Sequence, residues 1–148
     1  RLKTSVNADI TEVEENTRAA KALLDSFQKM SIRINEHVLE EGRKNPEYTV
    51  NGKTADRKGI ESEQGITSGF KKAIKQGCEI VIIDLDAHLK EKTLKVRDLS
   101  RHIYWRKTDF EKGIIQSCYV IYRGRAVVVR KADMGRDKIE NVLKQLEP

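Results

Sequence analysis

The sequence predicts an α/β protein whose mixed β-sheet is flanked by helices, and three observations support this fold class. Asn51-Gly52 predicts a tight hairpin, because both central positions of a type I′ turn need a positive φ that Asn and Gly tolerate. An amphipathic pattern from Ile66 to Gly77 leads into the apolar run Cys78–Leu85, which is typical of a strand covered on both faces. A second hairpin at Arg123-Gly124 would extend the same sheet. A length of 148 residues fits one domain, 1–148.

The remaining elements follow from periodicity. Apolar or small side chains recur every three or four residues from Asp9 to Lys29, which predicts the first helix. Ser31 to Val38 alternates apolar and polar residues, as a strand does. The charged stretch from Lys90 to Lys112 predicts one long helix, and Asp133 to Leu146 predicts a closing helix. The predicted order is helix, strand, hairpin, helix and buried strand, followed by a helix, a hairpin and a helix.

The first hairpin also brings together three side chains that could be catalytic. Counting outward from the turn places Glu47 opposite Asp56, and residues opposed across a ladder point to the same face. Lys58, two residues beyond Asp56, returns to that face. Two acids held this close call for a shared proton or a cation, and Mg²⁺ needs only one or two carboxylates. The three side chains therefore predict a phosphodiester-cleaving site, with a lysine that orients or deprotonates water or stabilises charge on phosphorus.

The same residues carry a family resemblance. Pro46-Glu47 followed by Asp56-Arg57-Lys58 resembles the signature of the PD-(D/E)xK nuclease superfamily, with Glu in place of the usual first Asp. Within it, the chain is most similar to the C-terminal tRNA nuclease toxin domains of contact-dependent growth inhibition proteins and their phage and mobile-element relatives. The resemblance covers Gly42 to Leu85, under a third of the chain. It implies a restriction-endonuclease-like core of order α-β-β-β-α-β, with an added helix, hairpin and C-terminal helix.

The resemblance also implies roles and partners. Glu47 and Asp56 would bind the metal, Mg²⁺ or alternatively Mn²⁺ or Zn²⁺, and Lys58 would be the catalytic lysine of an RNA endonuclease, with tRNA as a candidate substrate. The domain would act in the cytoplasm, belong to a larger secreted or phage or mobile-element protein, and bind an immunity protein. Family members often add an acid from an earlier helix. Four residues compete for that role here: Glu12, Glu14, Glu15 and Glu36.

Charge favours a polyanionic partner. The chain has 29 Lys and Arg against 23 Asp and Glu, a formal net charge of +6. Basic side chains on two predicted helices are expected to contact nucleic acid: Lys71, Lys72, Lys75, Arg101 and Arg106. Tyr104 and Trp105 stand beside the arginines, a combination suited to stacking on exposed RNA bases. The competing interpretation is an amphipathic helix that packs one of these aromatic rings on the sheet.

The sequence also allows two other functions. One is a metal-independent RNase of the barnase and colicin type, with His37, His88 and His102 as candidate proton carriers. The other is a non-catalytic nucleic-acid-binding or interaction module, in which the Asn-Gly hairpin is only a turn and the acids are surface charges. Activity in the presence of EDTA would favour the first, and no response to divalent metal would favour the second.

Further residues are expected to be structural. Cys78 and Cys118 lie in apolar runs, which predicts two reduced core thiols. Asp84 and Asp86 close a strand and are interpreted as solvated acids at a loop entrance. No apolar run approaches the length of a membrane span, so no membrane partner is expected.

Overall fold

The computed structural model describes residues 1–8, 12–37, 44–88 and 94–147 and has a seven-stranded mixed sheet flanked by helices. The strands are β1 (Leu2–Thr4), β2 (Ile32–Ile34), β3 (Tyr48–Val50), β4 (Lys53–Gly59), β5 (Ile80–Asp84), β6 (Ser117–Tyr122) and β7 (Arg125–Arg130). The helices are α1 (Val13–Ser26), α2 (Gly65–Lys75), α3 (Val96–Tyr104), α4 (Lys107–Glu111) and α5 (Arg136–Lys144). Short 3-10 turns cover Asp86–His88 and Lys131–Asp133. The predicted α/β fold class is confirmed.

The strands lie in the sheet in their chain order, β1 to β7. β1 pairs with β2 in parallel, β2, β3 and β4 form an antiparallel meander, β4, β5 and β6 are parallel, and β7 is antiparallel to β6. Both predicted hairpins are present. Their turns have positive φ at both central residues, 48° and 84° at Asn51 and Gly52, and 50° and 73° at Arg123 and Gly124. The turn chemistry visible in the sequence therefore sets the register of both hairpins.

Each face of the sheet buries its own apolar cluster. On one face, α1 contributes Ala19 and Leu23 to a cluster that includes Tyr48 and Ile82. On the other, α2, α3 and α5 cover a larger cluster that includes Phe70. All five residues of β5 are buried, so the apolar run before the loop is a strand covered on both faces, as predicted. Cys78 and Cys118 are buried and free, as the sequence predicted.

One helix predicted from the periodicity is divided in the structure. The long helix predicted from Lys90 to Lys112 is two helices, α3 and α4, because tighter three-residue bonds replace the α pattern between them. The Arg106 N–H donates to the Ile103 carbonyl, and the Asp109 N–H donates to the Arg106 carbonyl. The first part of that prediction, residues 90–93, lies outside the described residues.

Two other elements are shorter than predicted, and one strand was not predicted. Described residues place the start of the first helix at Val13, and the predicted residues 9–11 lie outside the description. The strand predicted from Ser31 is only β2, and its predicted end at Val38 is also outside the described residues. β1 was not predicted, because Leu2 is its only apolar residue and its strand state depends on parallel pairing with β2.

The interpretation of Asp84 as a solvated acid is wrong. Its side chain is 0% exposed and its Oδ2 accepts hydrogen bonds from the guanidinium groups of Arg18 and Arg57. Asp86, at a partly exposed position, uses both carboxylate oxygens to accept the backbone N–H groups of Arg123 and Gly124, at 2.7 and 2.9 Å. Both acids are therefore structural anchors at the carboxyl end of β5. Within the described ranges, no helix is long and apolar enough to cross a membrane.

Candidate active site at the open end of the first hairpin

Glu47 and Asp56 meet where the β3–β4 ladder stops. Tyr48 pairs with Ala55, so the next step outward sets Glu47 opposite Asp56, which is the predicted register. The Glu47 N–H donates to Asp56 Oδ1 at 2.9 Å, and the Arg57 N–H donates to Glu47 Oε1 at 3.0 Å. Each acid thus binds the backbone of the opposite strand. This reciprocal pair of bonds brings both carboxyl groups to the open end of the hairpin, where Glu47 lines a cleft with Glu12 and Asp56 lies beside Lys58.

Lys58 joins Asp56 on the face covered by α2. Its Nζ lies 3.6 Å from Asp56 Oδ2, so the predicted neighbour relation between these two side chains is present. The aliphatic stem of Lys58 runs beneath Gly69 of α2, where a β-carbon would lie 3.0 Å from Lys58 Cγ. Asp56 is only 2% exposed, whereas Lys58 is half-buried. The lysine is therefore confined between the strand and the helix and directed at the buried carboxylate.

The electrostatics of the site show an excess of acid. Burial, and then the charge of Asp56, raise the pKa of Glu47 to about 7. The neighbouring Glu12 adds to this rise, because a further negative charge disfavours ionisation of Glu47. Burial also raises the pKa of Asp56, although the Glu47 N–H and the Lys58 ammonium oppose the rise. A bound cation would offset this excess of acid as a proton does.

The structure separates the four helix and strand acids that compete for a supporting role. Glu12, the residue that precedes α1, reaches Glu47. Glu36 lines the narrow cleft beside these two acids. Glu15 instead pairs with Arg18 at 2.9 Å, and Glu14 lines a different groove, between α1 and the β6–β7 turn. Glu12 is therefore the acid of the four that lies beside Glu47, and among the described residues it forms no three-ligand cluster with Glu47 and Asp56.

Two residues that sequence reasoning did not assign to the site also contact it. The Cys78 thiol is buried near Asp56, and burial followed by the charge of Asp56 raises the pKa of Cys78 to about 12. The thiol thus stays protonated beside the carboxylate. Gly69 leaves the space that the Lys58 stem fills. An isolated Gly inside a helical pattern is the signal that could have drawn attention to position 69.

Magnesium fits the donor set better than zinc does. In residues 1–8, 12–37, 44–88 and 94–147, no three His, Cys, Asp or Glu side chains converge into a metal-binding cluster. Zn²⁺ normally takes three or four protein ligands, whereas Mg²⁺ keeps several waters and needs only one or two carboxylates plus substrate phosphate oxygens. Glu47 and Asp56 could supply those carboxylates, with Glu12 beside them.

The other predicted contact residues lie in two places. On α2, which passes over Lys58, three lysines are exposed: Lys71, Lys72 and Lys75. Arg101 and Arg106 are half-buried near the end of α3, where Arg101 pairs with Asp98 at 3.3 Å.

The described histidine side chains are not brought together as proton carriers. His37 lines the cleft beside Glu47, His102 is buried in α3, and the side chain of His88 lies outside the described residues.

Comparison of the chain with protein-family models, with curated proteins and with solved structures finds no match.

The raised pKa of Glu47 makes stability depend on pH. The folded state keeps the Glu47 proton up to about pH 7, whereas the unfolded chain loses it near the ordinary value of 4.5, so the unfolding free energy should fall as pH rises through this window. At pH values above this window Mg²⁺ should raise the Tm, and at pH values below it Mg²⁺ should have little effect. Glu47→Gln should remove both responses in thermal melts, and Glu111→Gln, at an exposed position of α4, should remove neither. A Mg²⁺ response that persists in Glu47→Gln would contradict this assignment.

Gly69→Ala should separate stability from activity. Ala is favoured over Gly in a helix interior by about 1 kcal/mol, but its β-carbon would press on the Lys58 stem. We expect the unfolding free energy to change by less than about 1 kcal/mol, and the chemistry predicted for Lys58 from the sequence, measured as RNA cleavage, to fall about 10- to 100-fold because the ammonium is displaced. Ser68→Ala, at the adjacent exposed position, is the control. Full activity in Gly69→Ala would show that the Lys58 path tolerates the added methyl group.

Proposed function

We propose that this protein is a divalent-metal-dependent endonuclease that cleaves phosphodiester bonds in RNA, with tRNA as a candidate substrate. The observation that carries the proposal is the reciprocal bonding of Glu47 and Asp56 at the open end of the hairpin, with the Lys58 ammonium 3.6 Å from Asp56. Like charges held together in a buried place are costly unless a cation or proton offsets them. A hydrated divalent ion between these acids and a phosphate would do so.

Each residue then has a role. Glu47 and Asp56 would bind Mg²⁺, which when bound supplies positive charge to the phosphate and lowers the pKa of water. The Glu47 N–H holds the Asp56 carboxylate and the Arg57 N–H holds the Glu47 carboxylate. Lys58, whose ammonium lies 3.6 Å from Asp56, would orient the attacking water or stabilise the charge that builds on phosphorus.

The order of elements supports a restriction-endonuclease-like core. α1, β2, β3, β4, α2 and β5 follow one another in the order that the PD-(D/E)xK resemblance implies, and α3, α4, the β6–β7 hairpin and α5 come after them. RNA is preferred over DNA because the resemblance is closest to tRNA nuclease toxin domains, and the net charge of +6 suits either nucleic acid. A toxin of this kind would act in the cytoplasm and would be inhibited by an immunity protein, which would be acidic where it covers the basic side chains of α2 and α3.

The proposal is tested by incubating the purified protein with total RNA and with supercoiled plasmid, each with Mg²⁺, with Mn²⁺ or with excess EDTA. We expect RNA to be cleaved with metal and to stay intact with EDTA. Cleavage that survives EDTA would favour the metal-independent RNase, and plasmid cleavage without RNA cleavage would reverse the substrate preference. No cleavage under any condition would contradict an enzymatic function.

A second candidate is a non-catalytic nucleic-acid-binding module. It is favoured by the burial of Asp56, whose two oxygens already face the Glu47 N–H and the Lys58 ammonium. In this case the reciprocal bonds would only terminate the ladder. Divalent metal would then leave the NMR resonances of Glu47 and Asp56 unchanged, whereas a metal site would shift both.

A further inference from the structure

Trp105 is the only tryptophan of the chain, and 54% of its surface is exposed at the end of α3. His102, which is buried in α3, places its ring edge-on to the indole with 4.7 Å between ring centroids. A buried ring therefore supports the indole, while more than half of the indole faces solvent. A large exposed aromatic surface held in this way is preorganised to pack against another flat, apolar group.

Cationic side chains lie beside the indole. Arg97, Arg101 and Trp105 are spaced four residues apart, so they follow one face of α3. The guanidinium carbon of Arg101 lies 5.6 Å from the Trp105 ring centroid. Arg106 follows directly, and its Nε donates to the Trp105 carbonyl at 3.2 Å. We call these four residues, Arg97, Arg101, Trp105 and Arg106, the tryptophan surface.

The charge around this surface is strongly positive. From Leu94 to Lys107 the sequence has five Lys or Arg residues and a single acid, Asp98, which pairs with Arg101 at a partly exposed position. Lys107 repeats the cation and ring arrangement nearby, with its Nζ 5.0 Å from the centroid of the Tyr104 ring. Such a concentration of cations attracts a polyanion rather than an apolar protein surface.

We propose that the tryptophan surface binds a single-stranded segment of nucleic acid, with an unpaired base stacked on Trp105 and the flanking phosphates held by the arginines. Stacking needs an exposed aromatic face, and the sugar-phosphate backbone needs cations beside it; this surface combines the two. A duplex hides the faces of its bases, so the surface selects strands with unpaired bases. The inference rests on the proposed function, because that function identifies the bound polyanion as RNA. It narrows the substrate to RNA that presents a loop or a single-stranded end.

The test uses the fluorescence of the single indole. Wild-type protein is titrated in EDTA, where metal-dependent cleavage cannot occur, with a short oligoadenylate, its DNA counterpart, an RNA duplex and heparin, which is a polyanion without bases. Both single strands should quench the fluorescence saturably, whereas the duplex and heparin should quench it far less at equal charge. Stronger quenching by the RNA strand than by the DNA strand would support RNA as the source of the base.

Variants separate stacking from charge. Trp105→Leu should weaken the binding of a dye-labelled oligoadenylate about tenfold in fluorescence anisotropy, and Trp105→Phe should keep most of the affinity. Arg97→Gln should weaken binding and also reduce its salt dependence. Two matched controls should bind as the wild type does: Ile114→Ala, at another exposed apolar position, and Arg136→Gln, at an exposed basic position on α5.

The outcomes distinguish this inference from the proposed function. Equal quenching by heparin and oligoadenylate, or unchanged binding by Trp105→Leu, would overturn base stacking whether or not the protein cleaves RNA. Tight single-strand binding that depends on Trp105 would support the inference even in the absence of cleavage, and a lack of metal-dependent cleavage would then overturn only the enzymatic proposal.

Discussion

Asp56→Asn is expected to reduce metal-dependent RNA cleavage by about 1,000-fold or more while the protein stays folded. Asn keeps an oxygen that can accept the Glu47 N–H, so the bond that closes the open end of the hairpin can persist. The substitution removes one of the two charges available to a divalent ion and the counter-charge 3.6 Å from Lys58. Initial cleavage rates with Mg²⁺, together with circular dichroism and thermal melting, measure both parts of this expectation.

Matched variants make the result specific. Asp137→Asn, on the exposed first turn of α5, removes the same charge elsewhere and should leave cleavage unchanged. Glu47→Gln should lower cleavage about as much as Asp56→Asn, and the double variant should be little worse than either, because groups that act as one unit are not additive. An Asp56→Asn protein that is folded and fully active would remove Asp56 from the chemistry.

The part of the site that could be predicted is the part governed by local rules. Asn51-Gly52 determines a two-residue turn, the turn determines the register, and the register sets Glu47 opposite Asp56. Lys58 follows from the two-residue period of a strand. Each step involves residues close in sequence, so the placement of these side chains can be predicted from a single sequence.

The contacts that the sequence left open at Glu12, or did not indicate at Cys78, join elements far apart in the chain. Glu12 meets Glu47 across 35 positions, and Cys78 meets Asp56 across 22. Neither contact has a periodic signature, because each depends on how α1 and the start of β5 pack against the hairpin. The same reason explains β1, whose strand state depends on β2. Local pattern identifies the hairpin and its acids, and only tertiary packing shows what surrounds them.

Asp84 shows how such a contact can reverse an interpretation. At the end of an apolar strand an acid is usually solvated, yet here α1 lies over the sheet and brings Arg18 to the same carboxylate that Arg57 approaches from β4. Arg57 also donates from its Nε to Asn16 at 2.9 Å, and its backbone N–H donates to Glu47. The buried ion cluster therefore fixes the backbone on which the candidate site is built.

Asp84→Ala should accordingly lower the unfolding free energy by about 3–5 kcal/mol, because it leaves Arg57, which is largely buried, without its counter-charge. Urea unfolding followed by circular dichroism gives this value. Asp98→Ala, which breaks the exposed pair with Arg101, is the control and should cost less than about 1 kcal/mol, since water already screens that pair. Adding Arg57→Ala to Asp84→Ala should recover part of the loss, because the unpaired charge is removed as well. A cost for Asp84→Ala as small as that of Asp98→Ala would mean that water reaches the cluster and that the site is held by the hairpin alone.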